Sequence, residues 1–399
     1  MLFFILLLAT FFLYSRGNKV VPYLLTFYAI GYLVLYQVRF DRVTAWLFVS
    51  LTLFPLLGDM ANILMQRTVP SSLEVMVRNL PLVLPLMALL HYRRIGPELL
   101  LNSISLLLVM ALLLILVQYT GLIEFGTILM YQWRPSLWFN PVPFSNAIVF
   151  FAVFLLGLSL QCNLQRVWPA LLAGIGASLL MVLLSETRGS LLALSLVTLC
   201  YLLFLFRRHR ISPAMLVMLI ALISISLMLV FGLQAERLQL GLDEFRSYFT
   251  GGAQETSVGI RLQVWQLAWQ LFLDQPLLGA GVEAAIEIKQ QMVLVGEIPA
   301  YVAMHHAHSD ILDSLERAGL VGLAGLFWLY CMPVIFLRRR GCTWLEIAPL
   351  LMLIVAAFLC GLTDTPLRNG VSGNVFYLCL MFGLALALNL RAARLGEAG

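Results

Sequence analysis

Residues 99–120 read LLLNSISLLLVMALLLILVQYT, with no charged side chain among them. A helix rises about 1.5 Å per residue, so about 20 such residues cross the ~30 Å hydrocarbon core of a bilayer. Apolar runs of this kind recur along the whole chain of 399 residues, of which 61% are hydrophobic and 11% charged. Soluble domains carry about 25% charged residues. A membrane β-barrel would show ~10-residue alternating segments, and none is present. The expected fold is all-α: a polytopic membrane helical bundle, one integral membrane domain over residues 1–399.

Twelve spans are predicted, at about 2–15, 20–38, 43–65, 73–90, 99–120, 144–162, 167–185, 189–206, 212–232, 309–337, 345–363 and 371–390. The first lacks a basic leader, so it reads as a retained helix. Two connections are long, 121–143 and 233–308. Arginine supplies nearly all the positive charge, with Lys19 and Lys289 the only lysines. With the termini inside, the cytoplasmic connections carry Arg39 and Arg42, Arg93 and Arg94, Arg166, Arg207, Arg208 and Arg210, and Arg338 to Arg340, and the tail carries Arg391 and Arg394. Such clustering in short loops is what fixes orientation, so the 233–308 loop is expected on the periplasmic side. Residues 233–307 hold eight acidic and four basic side chains, a net charge of −4.

Within that loop a helix is predicted at about 259–273. Gln263, Gln266 and Gln270 form a polar face and Trp265, Trp269 and Phe272 fill much of the rest, a pattern suited to the membrane interface. Asp274-Gln-Pro276 stops it, and Gly279-Ala-Gly281 turns the chain. The six cysteines lie in or beside apolar helices and read as small buried hydrophobes.

Ionisable groups at a membrane boundary are costly, so they point to chemistry. Arg188, in Ser185-Glu-Thr-Arg-Gly-Ser190, falls on the outward side, where orientation does not explain its charge. Its planar fork suits phosphate or carboxylate; the alternative is a helix-end arginine paired with Glu186. Arg261 opens the loop helix, one turn before Trp265, on which it could stack. The run Met304-His305-His306-Ala307-His308-Ser309 holds three of the five histidines. His308 precedes a helix whose first turn carries Asp310 and Asp313, with Ser309 or Asp310 as N-cap. The dipole there disfavours imidazolium, and a general base must be neutral. A His-His-x-His run also suits zinc, but no carboxylate or cysteine stands at a familiar zinc spacing, so no metal ligand and no cofactor is assigned. His305 and His306 support the loop. Asp59, Arg78, Glu316, Arg317, Asp364 and Arg368 are further charges in or beside spans, and Asp313 and Arg317 stand i, i+4 to neutralise each other.

These residues resemble a known family. His308-Ser309, nine residues and Gly319-x-x-Gly322 is similar to the His-Asn/Ser-x9-Gly-x-x-Gly signature of O-antigen ligases, with Ser309 where many relatives have asparagine. Arg188 with Leu192 resembles that family's Arg-x3-Leu element. Arg261 with Trp265, Pro276 and Gly279-x-Gly281 resembles its second arginine and the turn after it. Phe139-Asn140-Pro141 with Asn146 resembles another recurring segment. The resemblance is detailed only in the second half of the chain. It implies a GT-C-like, metal-independent, inverting glycosyltransferase of the bacterial inner membrane. Such an enzyme moves O-antigen polysaccharide from undecaprenyl diphosphate to lipid A–core in lipopolysaccharide biosynthesis, with its site facing the periplasm. His308 is then the base and Arg188 and Arg261 bind the diphosphate, with His305, His306 and Asp364 in support. The partners are the two amphiphilic substrates and membrane lipids, with no nucleic acid.

Two readings compete. An O-antigen polymerase, or another lipid-linked glycan ligase such as a protein O-glycosyltransferase, would differ only in acceptor. A secondary transporter would place its polar residues at mid-membrane in two repeated halves, and no repeat is evident here.

Overall fold

The computed structural model describes residues 17–37, 96–120, 139–208, 243–250 and 255–396, with isolated positions between them. Among the described residues there are helices and no strands. In chain order they are α1 (Gly17–Leu35), α2 (Pro97–Tyr119), α3 (Pro141–Ser159), α4 (Leu164–Leu184), α5 (Arg188–Arg207), α6 (Ser257–Asp274), α7 (Val282–Leu294), α8 (Ala300–Ala303), α9 (Asp310–Arg339), α10 (Trp344–Gly361) and α11 (Gly370–Arg394).

Seven of these, α2 to α5 and α9 to α11, are long and apolar enough to cross a membrane. They match the spans expected at 99–120, 144–162, 167–185, 189–206, 309–337, 345–363 and 371–390. The chain is an all-α, multi-pass membrane protein. The expected span at 20–38 corresponds to α1. Those at 2–15, 43–65, 73–90 and 212–232, with Asp59 and Arg78, lie wholly or largely outside the described residues.

Helix α3 is apolar on every side and begins with Pro141 and Pro143, which suit a first helical turn. Asn140 caps it by accepting from Val142 N at 3.1 Å. All its residues but Val142 are buried, so it occupies the bundle interior, packed against α2, α4, α5, α10 and α11. Leu106 and Leu113 of α2 and Leu192 and Leu196 of α5 are exposed. Such faces are what a bilayer covers.

Helix α9 is broken. Gly319 sits inside it at φ 59°, ψ −148°, a combination open essentially to glycine alone. A break frees backbone groups that must find partners, and residues 276–281 supply them. Leu320 N donates to Pro276 O at 2.8 Å and Val321 N to Leu277 O at 3.2 Å. In return, Ala280 N donates to Glu316 O at 2.8 Å and Gly281 N to Arg317 O at 3.0 Å. The backbones touch: a Cβ on Gly279 would lie 2.5 Å from Ala318 N, and one on Gly319 would lie 2.5 Å from Pro276 O. The turn at Gly279-x-Gly281 and the motif at Gly319 are thus two halves of one junction.

That junction seats α6 to α8 on the bundle. Their own small core contains Val264, Leu267, Ala268, Leu271, Ala285, Val302 and Ala307. A buried ion pair, Lys289 Nζ to Glu316 Oε1 at 2.6 Å, ties α7 to α9. Asp313 pairs with Arg317 Nε at 2.8 Å, as the spacing predicts. It also takes Arg368 Nε at 2.5 Å, which pins the α10–α11 turn to the same helix. These charges in α9 hold the architecture together.

Candidate active site

Five segments converge at one end of the bundle: the first turn of α3, the α4–α5 turn, the start of α6, the histidine loop before α9, and the α10–α11 turn. A cavity of about 480 Å³ lies there, with a lining that includes Arg134, Asn146, Glu186, Arg188, Glu244, Arg261 and Asp364; the histidine loop meets it only through Asp364.

Arg188 is the first residue of α5. A helix N-terminus carries unpaired N–H groups and positive dipole, so a guanidinium there makes an anion-receptive corner. The turn before it is tightly held. Glu186 adopts φ 54°, while Arg134 Nε donates to Ser185 O at 2.9 Å and Nη2 to Glu186 O at 3.5 Å. Arg134 was not among the sequence candidates. Its signal was available, as a cation in the outward connection 121–143.

Arg261 reaches the same cavity from α6. Arg188, Arg261 and Asp364 all line this cavity; burial lowers the Arg261 pKa, Asp364 raises it and Arg188 lowers it. An arginine remains protonated regardless. The stacking that the spacing of Arg261 and Trp265 allows does not form. Among the described residues the cation–π contacts are those of Arg208, Arg338 and Arg340. Trp265 instead donates its indole N–H to Ala307 O at 2.7 Å, so the helix that carries Arg261 also holds the histidine loop. Trp265→Phe keeps the ring but removes this bond. It is expected to cost about 1 kcal/mol and to lower turnover by loosening His308, as thermal unfolding in detergent and a transfer assay would show.

His308 adopts φ 45°, uncommon outside glycine though tolerated by histidine. This turns Nδ1 toward Asp364 Oδ1, at 3.7 Å. His306 Nε2 stands 3.8 Å from the same oxygen, and the His306 and His308 rings are 4.1 Å apart. His305 is 5.8 Å from His308, ring to ring. Its pKa is lowered by burial and then by the other two histidines, so it is neutral near pH 7. Ser309 occupies the N-cap of α9, but its side chain makes no capping bond.

Asp364 joins these parts. Asn146 Nδ2 donates to its Oδ2 at 2.8 Å, and Ser190 Oγ donates to Asn146 Oδ1 at 2.7 Å. Burial pushes the Asp364 carboxyl up, but the imidazoles of His306 and His308 and the backbone at Thr365 outweigh it and hold it at about 2. At 3.7–3.8 Å the imidazole contacts are longer than an ordinary hydrogen bond and looser than the 2.8 Å bond from Asn146. The sequence placed Asp364 near a helix end, and the resemblance gave it a supporting role. Its pairing across 56 positions with His308, and across 218 with Asn146, is a property of the fold.

The fold and this site define a polytopic membrane protein with an arginine- and carboxylate-lined cavity at one end of its bundle, whose Asp364 is flanked by His306 and His308. Residues 173–327 match the family model described as O-Antigen ligase, which supports assigning the chain to the O-antigen ligase family. The matched stretch includes Arg188, Arg261, His306, His308 and Gly319, while Asn146 and Asp364 lie outside it. A protein of Haemophilus influenzae (strain ATCC 51907 / DSM 11121 / KW20 / Rd), described as an uncharacterized protein, is 24% identical over 253 residues. That similarity covers 60% of this chain and 63% of the relative's length.

Proposed function

We propose that this protein is a ligase moving a polysaccharide from undecaprenyl diphosphate to a sugar hydroxyl of lipid A–core, on the periplasmic face of the bacterial inner membrane. The observation that carries this reading is one cavity holding Arg188 and Arg261 beside Asp364, with His308 against the same carboxylate. The family match points to the same class of reaction.

Orientation has its own support. Helices α4, α5, α9, α10 and α11 each have one end at the site, while arginines gather at or just beyond the other: Arg166, Arg207, Arg338 to Arg340, Arg391 and Arg394. By the positive-inside rule those arginines are cytoplasmic, which sends the cavity outward. The 233–308 segment, with α6 at the interface, then forms the periplasmic loop.

The chemistry follows from the charges. Breaking the bond between the anomeric carbon and the diphosphate develops negative charge on the leaving oxygens. Two guanidiniums, Arg188 at the N-terminus of α5 and Arg261 on α6, stabilise that charge as it forms. Asp364 Oδ1 faces His308 Nδ1 at 3.7 Å, which favours the tautomer with its proton on Nδ1 and leaves the Nε2 lone pair to accept the proton of the attacking hydroxyl. The new C–O bond forms as the old one breaks, in one displacement with inversion at the anomeric carbon. His305 and His306 support the loop, and no metal ion is required.

The test is transfer by purified protein in detergent, with lipid-linked glycan, lipid A–core and EDTA. Glycan is expected on the core lipid, at a rate EDTA does not lower. Lengthening of the lipid-linked glycan with the core lipid untouched would make the protein a polymerase. Turnover lost to EDTA and restored by one divalent metal would contradict the arginine mechanism.

A further inference from the structure

The fold gives His306 and His308 what their local sequence lacks, a carboxylate at ligand distance. One ligand atom from each of His306, His308 and Asp364 lies within 4.8 Å of the others, and both imidazole nitrogens stand 3.7–3.8 Å from Asp364 Oδ1. For zinc bonds of about 2.0–2.1 Å in tetrahedral geometry, ligand atoms sit about 3.3–3.4 Å apart. The two histidine–carboxylate edges need a contraction of only a few tenths of an ångström, and the His306–His308 edge, which lies within 4.8 Å, closes by rotation of the partly exposed rings. Zinc-binding carboxylates are commonly oriented by a second layer of hydrogen bonds, and here Ser190 and Asn146 hold Oδ2 so that Oδ1 faces the rings. The His306 and His308 side chains are 43% and 23% exposed, so an ion can enter and a water can fill a fourth position. Arg261 and Arg188 stand nearby and oppose a dication, which makes binding reversible, unlike a closed structural zinc site.

We propose that His306, His308 and Asp364 form a site for a zinc-like divalent cation, and that its occupation switches transfer off. To ligate through Nδ1, His308 must give up the proton there and carry its remaining proton on Nε2. That nitrogen then has no lone pair for the acceptor hydroxyl. The inhibition rests on the base role given to His308 above; the binding does not.

Purified full-length protein, with any affinity tag removed, is titrated with Co²⁺ and followed by visible d–d absorption, which is intense only in tetrahedral sites. One Co²⁺ per chain is expected, displaced by Zn²⁺, with affinity at least about tenfold weaker in His306→Gln and in Asp364→Asn. Zn²⁺ is expected to stop transfer by wild type and EDTA to restore it. Absence of the tetrahedral spectrum in wild type, or an unchanged spectrum in both variants, would overturn the site. An intact spectrum with full transfer in Zn²⁺ would overturn the switch, and would identify the base role of His308 as the failing premise.

Discussion

Replacing His308 with alanine is expected to lower transfer by about 10²–10⁴-fold, the usual contribution of a positioned general base, while leaving a folded, membrane-inserted protein. The fold does not depend on this ring. It is partly exposed, its contact with Asp364 is 3.7 Å, and Asp364 keeps its 2.8 Å bond to Asn146 without it. His308→Asn is the sharper variant, because asparagine tolerates a positive φ but offers no base. Arg188→Ala and Arg261→Ala are each expected to cost about 10²–10³-fold, as loss of one electrostatic stabiliser does. Transfer is read as glycan-bearing core lipid per enzyme, with thermal unfolding in detergent as the control for folding. Wild-type rates in any of the alanine variants would remove that residue from the mechanism.

Gly319→Ala is expected to be the most damaging change outside the cavity. Its methyl would sit 2.5 Å from Pro276 O and 2.6 Å from Leu277 C and O. These are backbone atoms held by the four hydrogen bonds of the junction, so they cannot swing aside as a side chain would. The φ of 59° adds strain, and together these are expected to remove at least about 3 kcal/mol of stability. Unseating residues 276–281 frees the end of α6 and with it Arg261, so transfer should fall although no cavity residue has changed. Gly296→Ala is the matched control. It shares a positive φ, 79°, but its methyl would meet nothing within 4 Å. It isolates backbone strain from collision and is expected to leave transfer near wild type.

The helical class and the positions of the seven crossing helices follow from hydrophobic runs, because a bilayer imposes length and composition directly on sequence. Arg188, Arg261 and His308 stood out as candidates for the same reason, as ionisable residues where lipid and orientation demand none, and the fold brings all three near Asp364. The junction at Gly319 was visible only as two glycine patterns 40 positions apart; nothing local says that they meet. The bond from Asn146 to Asp364 and the partnership of Asp364 with the histidines depend on α3, α4 and α10 ending at one level. Periodicity cannot supply that register. The charges of α9 hold the architecture: Asp313 pairs with Arg317, as the i, i+4 spacing led one to expect, and also with Arg368, while Glu316 pairs with Lys289, a partner that spacing does not show.

The most direct measurement is the anomeric configuration of the linkage made by purified protein from a lipid-linked glycan and lipid A–core. A hydroxyl deprotonated by His308 and attacking opposite an arginine-bound diphosphate must give a product inverted relative to the donor. A product with retained configuration would require a covalent glycosyl–enzyme intermediate, and would contradict single displacement with His308 as base.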